Sequence, residues 1–414
     1  MRKMLQILSN SLRLTLQELK VNKLRTGLSL TGVAFGIFCI IGVFATVSSL
    51  EGNIQNEVNS LGSNTIFIDK WQYVGGGADY PWWKYRARPN MKYGEVALLK
   101  QRSELADAIS FFMQANGNLI YKDDIIENSA VYGITESYMT VQPIKFDFGR
   151  YISGAEFNSG SAVALIGYDN AEKLYGSAER ALGKYFEIKG KHVTIVGVLK
   201  KEGKSIIGDD KDKCIMLPYK FAKQIILEEN SRPVIIVKGK DKVTPTQLST
   251  ELQGAMRQIR RLSPTQEDNF SLNSVEAISK AVSSLFGTVD IVGGLIGVVS
   301  LIVGMFGIAN IMFVTVKERT NMIGLKKAIG AKKSSILFEF LLEAAILCLM
   351  GGAIGLFLVY ILTLVFSKLL EFPIYVSIPL LIATVIICLV VGILAGIFPA
   401  SRAAKMDPVV AIRS

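Results

Sequence analysis

The chain has 414 residues, 50% of them hydrophobic and 20% charged, with a mean hydropathy of +0.36. That is too apolar for a set of soluble domains and too poor in charge for disorder, and four cysteines are too few for a disulfide scaffold. The net charge of +11 fits nucleic acid, anionic lipid or the basic inner side of a membrane protein, a choice that the positions of the charges must settle.

At the amino terminus, Leu5, Leu8, Leu12, Leu16 and Leu19 recur at helical spacing, while Gln6, Arg13, Gln17 and Lys20 fall on other faces. Residues 1–25 are therefore expected to form a cytoplasmic amphipathic helix lying in the inner-leaflet interface; partner binding by the same helix is compatible with that. Four stretches free of Asp, Glu, Lys and Arg follow: Thr26–Leu50, Ile291–Val316, Ala344–Ser367 and Phe372–Ser401. A charge at the centre of a membrane helix costs roughly 2.5–3.5 kcal/mol, and about 20 apolar residues cross the hydrocarbon core. The expected spans are 26–50, 286–316, 338–367 and 379–401. Pro373, Pro379 and Pro399 are expected to bracket the last, leaving Leu380–Phe398 as the helix proper. The first span is too long for a cleaved signal and has a long basic prelude, so it is expected to stay in the membrane.

The segment up to residue 26, the 317–337 loop and the 402–414 tail hold 15 basic against 3 acidic residues, whereas the short 368–378 loop carries only Lys368 and Glu371. By the positive-inside rule both termini and the 317–337 loop face the cytoplasm. Residues 51–285 then form a large domain on the other side, between spans one and two. Within it Asn64–Asp69, Ile188–Val198 and Val234–Val237 read as strands, and Tyr93–Gln101 and Ala171–Tyr175 as helices. Glu51–Leu61 and Asn273–Leu285 have helical spacing without proline and are expected to prolong the spans as a two-helix stalk. Gly75–Gly77 with Tyr80, Trp82, Trp83 and Tyr85 reads either as a loop that touches substrate or as a connection whose rings pack on the domain.

Catalytic signals are weak. Gly203-Lys204-Ser205 with Gly197 upstream has the wrong spacing for a phosphate loop and reads as a turn. Cys39, Cys348 and Cys388 fall in spans, Cys214 stands alone, and His192 reads as a solvated edge-strand residue, so neither a metal site nor a nucleophile is expected. Every span carries a Gly-x-x-x-Gly pair, namely Gly32/Gly36, Gly293/Gly297, Gly351/Gly355 and Gly392/Gly396, which favours a tightly packed bundle or a dimer. Glu339 and Glu343 lie one turn apart on span three. They read as a proton relay or, more in keeping with the basic loop before them, as partners of residues such as Lys332 or Lys333.

The loop Val316-Lys-Glu-Arg-Thr-Asn-Met-Ile-Gly-Leu-Lys-Lys-Ala-Ile-Gly-Ala331 and the tail Phe398-Pro-Ala-Ser-Arg-Ala-Ala-Lys-Met-Asp-Pro-Val-Val-Ala-Ile-Arg413 together resemble the permeases of the MacB and FtsX superfamily of ABC transporters. Asn22–Ser29, Leu61–Asn64, Val163–Gly167, Val193–Val198 and Asp268–Phe270 extend the resemblance over nearly the whole chain. It implies four transmembrane helices with an α+β extracytoplasmic domain between the first two. That domain would hold a porter-like part built from both ends of the insert and a second subdomain from roughly residues 95–230. It implies a non-catalytic subunit without MacB's fused ATPase domain, binding no cofactor itself and using ATP and Mg through a separate ABC ATPase. Glu318, Arg319, Gly324, Leu325, Lys326, Lys327 and Gly330 map onto the family's ATPase-coupling segment. It further implies a second permease copy, identical or related, a possible periplasmic adaptor and outer-membrane duct, contact with membrane lipid, and an inner-membrane location. The expected activity is mechanotransmission that drives efflux or export of peptides, antibiotics or lipophilic cargo. FtsX-like signalling to a cell-wall hydrolase and lipoprotein release are the alternatives. With the excess charge assigned to three cytoplasmic segments, nucleic acid is not needed to explain it.

Overall fold

A computed structural model describes residues 23–62, 64–75, 80–203, 210–369 and 374–413; the amphipathic helix expected at the amino terminus lies almost wholly outside them. The chain divides into two compact units, one formed by the first 51 residues with Leu285–Ser414 and the other by Gly52–Ser284.

In chain order the elements are α1 (Lys23–Ser60), β1 (Thr65–Asp69), α2 (Trp82–Arg86), α3 (Tyr93–Arg102), β2 (Ala106–Tyr121), β3 (Asp124–Ile134), α4 (Tyr138–Val141), β4 (Phe146–Gly149), α5 (Gly154–Ser159), β5 (Val163–Ile166), α6 (Tyr168–Tyr175), α7 (Ala178–Ala181), β6 (Tyr185–Ile188), β7 (Lys191–Leu199), β8 (Cys214–Pro218), α8 (Tyr219–Ile225), β9 (Arg232–Gly239), α9 (Pro245–Ile259) and β10 (Ser271–Ser274). The remainder is helical: α10 (Val275–Glu318), α11 (Thr320–Ala328), α12 (Lys333–Leu369), α13 (Ile378–Lys405) and α14 (Pro408–Arg413).

The inserted unit is built on one ten-stranded sheet, ordered β10-β1-β9-β2-β3-β8-β5-β7-β4, with β6 pairing β2 and β7. Strands from the ends of the insert and from its middle are thus joined through the long β2–β3 hairpin. The pairs β3/β8 and β5/β7 are parallel and the rest antiparallel. Strands β1 and β9 are apolar without alternation because both sheet faces are covered. Ile66, Ile68, Ile235 and Val237 enter one core with Leu248, Leu252 and Met256 of α9. Phe67, Val234 and Ile236 enter a second core with Val58 of α1 and Val275 of α10. The extensions of α1 and α10 also hydrogen-bond each other: Gln55 Nε2 donates to Ser279 O and Ser283 Oγ at 3.0 Å, and Ser279 Oγ donates to Gln55 Oε1 at 2.7 Å.

The other unit holds four helices long and apolar enough to cross a membrane, within α1, α10, α12 and α13. Their shared core includes Val33, Ile37, Ile41, Ile308, Met312, Phe340, Ala344, Cys348, Cys388 and Ala395. The glycine pairs mark close approaches. A Cβ on Gly36 would lie 3.0 Å from Ser300 O, and Gly293 and Gly297 face Val43 and Ile40, so α1 packs on α10. Gly351 faces Val33, and a Cβ on Gly355 would lie 2.6 Å from Ala34 O, so α1 also packs on α12. Gly392 and Gly396 lie against Ala345 and Ala344, closing α12 on α13. Gly32 stands apart, with nothing within 4 Å of its added carbon. One expectation fails: Pro399 does not end span four. Pro379 opens α13 in the first helical turn, where its missing N–H costs nothing, but Pro399 is buried inside a helix that continues to Lys405. Packing by neighbouring helices makes such an interior proline tolerable in a membrane bundle.

Candidate functional site

The segment between the second and third spans carries the strongest sequence motif, and its geometry follows from local hydrogen bonding. Thr320 Oγ1 bonds back to Val316 O at 3.1 Å and Lys317 O at 2.9 Å, a pattern that bends helices. Arg319 sits at this break, with φ −100° and ψ 13°, so α10 ends and α11 begins there. Gly330 at φ +95° ends α11. Its N–H reaches Lys327 O and that of Ala331 reaches Lys326 O, both at 3.0 Å, the double bond of a Schellman stop.

Side chains of α11 divide between an inner and an outer face. Gly324 is buried, and a Cβ there would lie 2.9 Å from Ala411 Cβ and 3.0 Å from Ile412 Cγ1, so the tail helix α14 sits directly on it. Lys327 Nζ donates to Ala404 O at 2.8 Å and to Met406 O, closing the carboxyl end of α13, where a cation is favoured. Burial, then the neighbouring Lys333, lowers the pKa of this ammonium, with Asp407 opposing. Lys326 Nζ donates to both oxygens of Glu339, at 2.7 and 3.0 Å, and Arg319 Nη1 reaches Glu343 Oε2 at 3.3 Å. The two span-three carboxylates are therefore paired with bases, but with Lys326 and Arg319, not with Lys332 or Lys333. Those two lysines precede α12 or open it and are exposed.

What stays outside is an apolar row. Met322, Leu325 and Ile329 are 41%, 59% and 80% exposed, and Val409, Val410 and Ile412 of the tail helix α14 are exposed as well. Of the seven residues mapped onto the coupling segment, Glu318, Leu325 and Gly330 are exposed. Arg319 and Lys326 are turned to α12, Gly324 and Lys327 to the tail, and Gly330 makes the turn. Met322 and Ile329 fall outside the mapped segment's seven residues, although their spacing from Leu325, three residues before and four after, is legible in the sequence.

In the inserted unit, the aromatic segment has two layers. Tyr85 is buried, stacks on Tyr80 at 4.9 Å and donates its hydroxyl to Gln72 Oε1 at 2.6 Å, with the Arg88 guanidinium 4.4 Å over its ring. Trp82 and Trp83 of α2 are left 54% and 61% exposed. At the Gly203 turn, the N–H groups of Glu202 and Gly203 point at the buried Asp212 carboxylate, at 3.0 and 2.8 Å. A carboxylate already fills the place a phosphate would need; Lys204 and Ser205 lie outside the described residues. His192 is exposed and packs edge-on against Tyr185.

Four membrane-length helices, an α/β domain between the first two and a short presented helix between the second and third define a multi-pass membrane protein of permease type. Residues 26–255 match the MacB-like periplasmic core domain and residues 294–408 the FtsX-like permease C-terminal domain. The chain belongs to the MacB/FtsX-like permease family of ABC transporters. It is 29% identical over 402 residues to the macrolide export ATP-binding/permease protein MacB of Neisseria gonorrhoeae, covering 97% of this chain and 60% of that protein. It is 28% identical over 408 residues to the ABC transporter permease YvrN of Bacillus subtilis, covering 97% of this chain and 98% of that one. The chain thus spans about 60% of the length of the MacB proteins it matches. Among solved structures, the periplasmic region of MacB from Actinobacillus actinomycetemcomitans aligns with a TM-score of 0.44 and 17% identity, over 56% of this chain and 97% of that one. The extracellular domain of the transporter YknZ from Gram-positive bacteria aligns with a TM-score of 0.39 and 20% identity, over 50% and 99%.

Proposed function

We propose that this chain is the permease subunit of a MacB-like ABC transporter, set in the inner membrane with both termini and α11 in the cytoplasm. It works as a pair of permease copies, and ATP is hydrolysed by a separate ATPase chain. Closing of that ATPase moves α11, and the movement passes along α10 and α1 to the inserted domain, which drives efflux or export of peptides, antibiotics or lipophilic cargo. The observation that carries this reading is the exposed row Met322, Leu325 and Ile329 on a helix whose opposite side contacts α12, α13 and α14. An apolar stripe at that spacing fits a groove on a partner. Similarity to the ABC transporter permease YvrN over 97% of this chain and 98% of that one supports the permease reading. Charge placement supports the orientation. The exposed apolar face of α10, with Ile291, Leu295, Val299 and Phe306, fits lipid or a second copy.

The test is to purify the tagged chain from its source cells and measure Mg-ATP hydrolysis in the eluate, identifying any nucleotide-binding chain by mass spectrometry. Wild type is expected to carry an ABC ATPase and its activity. The Leu325→Asp, Ile329→Asp double variant is expected at equal yield without either. Full activity in the double variant, or hydrolysis by the isolated chain, refutes the reading.

A further inference from the structure

Resting on that reading, we infer that Arg319–Glu343 and Lys326–Glu339 form a two-point clamp that transmits the motion of α11 to the third span, separately from the apolar row that holds the ATPase. The arrangement is antiparallel. Arg319, at the bend before α11, pairs with the later carboxylate, and Lys326, two turns on, pairs with the earlier one. The two anchors are separated by about 10 Å along α11 and about 6 Å along α12 at 1.5 Å per residue, so they fix tilt as well as rotation. Between them Met322, Ile323, Ile336 and Phe340 line the groove joining the two helices, so the clamp and the apolar row meet at Met322, while Leu325 and Ile329 belong to the row alone.

Stability alone gives little reason for such a pair. The Glu343 side chain is 2% exposed and Arg319 13%, and apolar replacements of buried ion pairs are often neutral or stabilising. Apolar contact would hold α11 on α12 but would let it slide, because dispersion has no direction. A buried charge pair such as Arg319–Glu343 tolerates few registers, since separating it costs about 3–5 kcal/mol, and Lys326–Glu339, 37% and 24% exposed, adds a weaker second point that sets direction. The clamp therefore forces α12 to follow α11 when the helix pivots at Arg319. Gly324 against α14 and Lys327 at the end of α13 keep the same helix seated on the tail and on the end of span four.

Glu339 and Glu343 are positioning residues on this account, and their effect is separable from docking. All three tryptophans, Trp71, Trp82 and Trp83, lie in the inserted domain, so 5-fluorotryptophan placed in the permease alone gives fluorine resonances that report on that domain. The experiment uses the permease–ATPase complex in nanodiscs, with spectra taken without nucleotide, with Mg-ATP and with a non-hydrolysable analogue. Wild type is expected to shift its resonances with nucleotide. Glu343→Gln and Glu339→Gln are expected to retain the ATPase and its hydrolysis but to lose the shift. Lys326→Glu is expected to lose it too, and Lys326→Glu with Glu339→Lys to regain it, because exchange restores the pair. An unchanged response in the glutamine variants, loss of the ATPase from them, or no recovery in the exchanged pair overturns the clamp. A wild-type complex that never responds overturns the underlying transmission reading instead.

Discussion

Replacing Gly392 by alanine adds one methyl group where α13 meets α12. Its carbon would lie 2.7 Å from Ala345 Cα and 3.0 Å from both Ala344 O and Cys348 Cβ. Two of those three atoms are backbone or Cα, so no side chain can swing away; the helices must separate by on the order of 1 Å to reach ordinary contact at about 3.5–4.0 Å. Overpacking of this kind costs about 1–3 kcal/mol. Alanine also favours helix over glycine by about 0.8–1.0 kcal/mol, which would mask part of the loss. Gly32→Ala supplies the control, because nothing lies within 4 Å of its new carbon while the helix gain is the same. The difference between the two variants isolates the packing cost, about 1–3 kcal/mol with Gly392→Ala the less stable. Equilibrium unfolding of the full chain by sodium dodecyl sulfate in mixed micelles measures it. Equal midpoints, or a more stable Gly392→Ala, would refute the helix contact derived from the glycine spacing.

Three further outcomes follow from the inserted domain. Arg260, whose side chain is 6% exposed, donates to Glu95 Oε1 at 2.9 Å, so Arg260→Ala leaves that largely buried carboxylate with only the Lys92 N–H and should cost about 3–5 kcal/mol in thermal unfolding. Glu95→Leu combined with Arg260→Met should recover most of that loss, and a single variant as stable as wild type would contradict the account. Hydrogen bonding from Arg150, helped by Ser153, lowers the pKa of Glu156 from 4.5 to about 2. A depressed acid stabilises the fold above its ordinary pKa and loses that contribution as pH falls from about 4.5 towards 2; Glu156→Gln should flatten that part of the acid limb, and an unaltered limb would count against the pair. Trp82→Phe with Trp83→Phe should leave only the half-buried Trp71 and sharply reduce acrylamide quenching, whereas undiminished quenching would mean that the exposed pair is covered.

The sequence alone determined the parts of this protein that rest on runs and periods. A span is an uninterrupted apolar stretch because charge in hydrocarbon is expensive, so four spans and the insert between the first two are readable without coordinates. The loop and tail motifs likewise pointed to the family that residues 26–255 and 294–408 match. Strands β1 and β9 were legible from short apolar runs, but the run Ile188–Val198 joins the end of β6 to β7 across a left-handed turn at Lys189 and Gly190, and that β1 lies between β10 and β9 was not legible, since that pairing joins residues far apart in the chain. Tertiary structure also decided the charges around α11. Glu339 and Glu343 each had several bases within reach along the loop. Which base each takes depends on the bend at Arg319 and the stop at Gly330, which aim Arg319 and Lys326 at α12 and Lys327 at α13. The same folding leaves Met322, Leu325 and Ile329 outside. Helical spacing puts these three on one face, but only the packing of the opposite face against α12 and α14 shows that this face is the uncovered one.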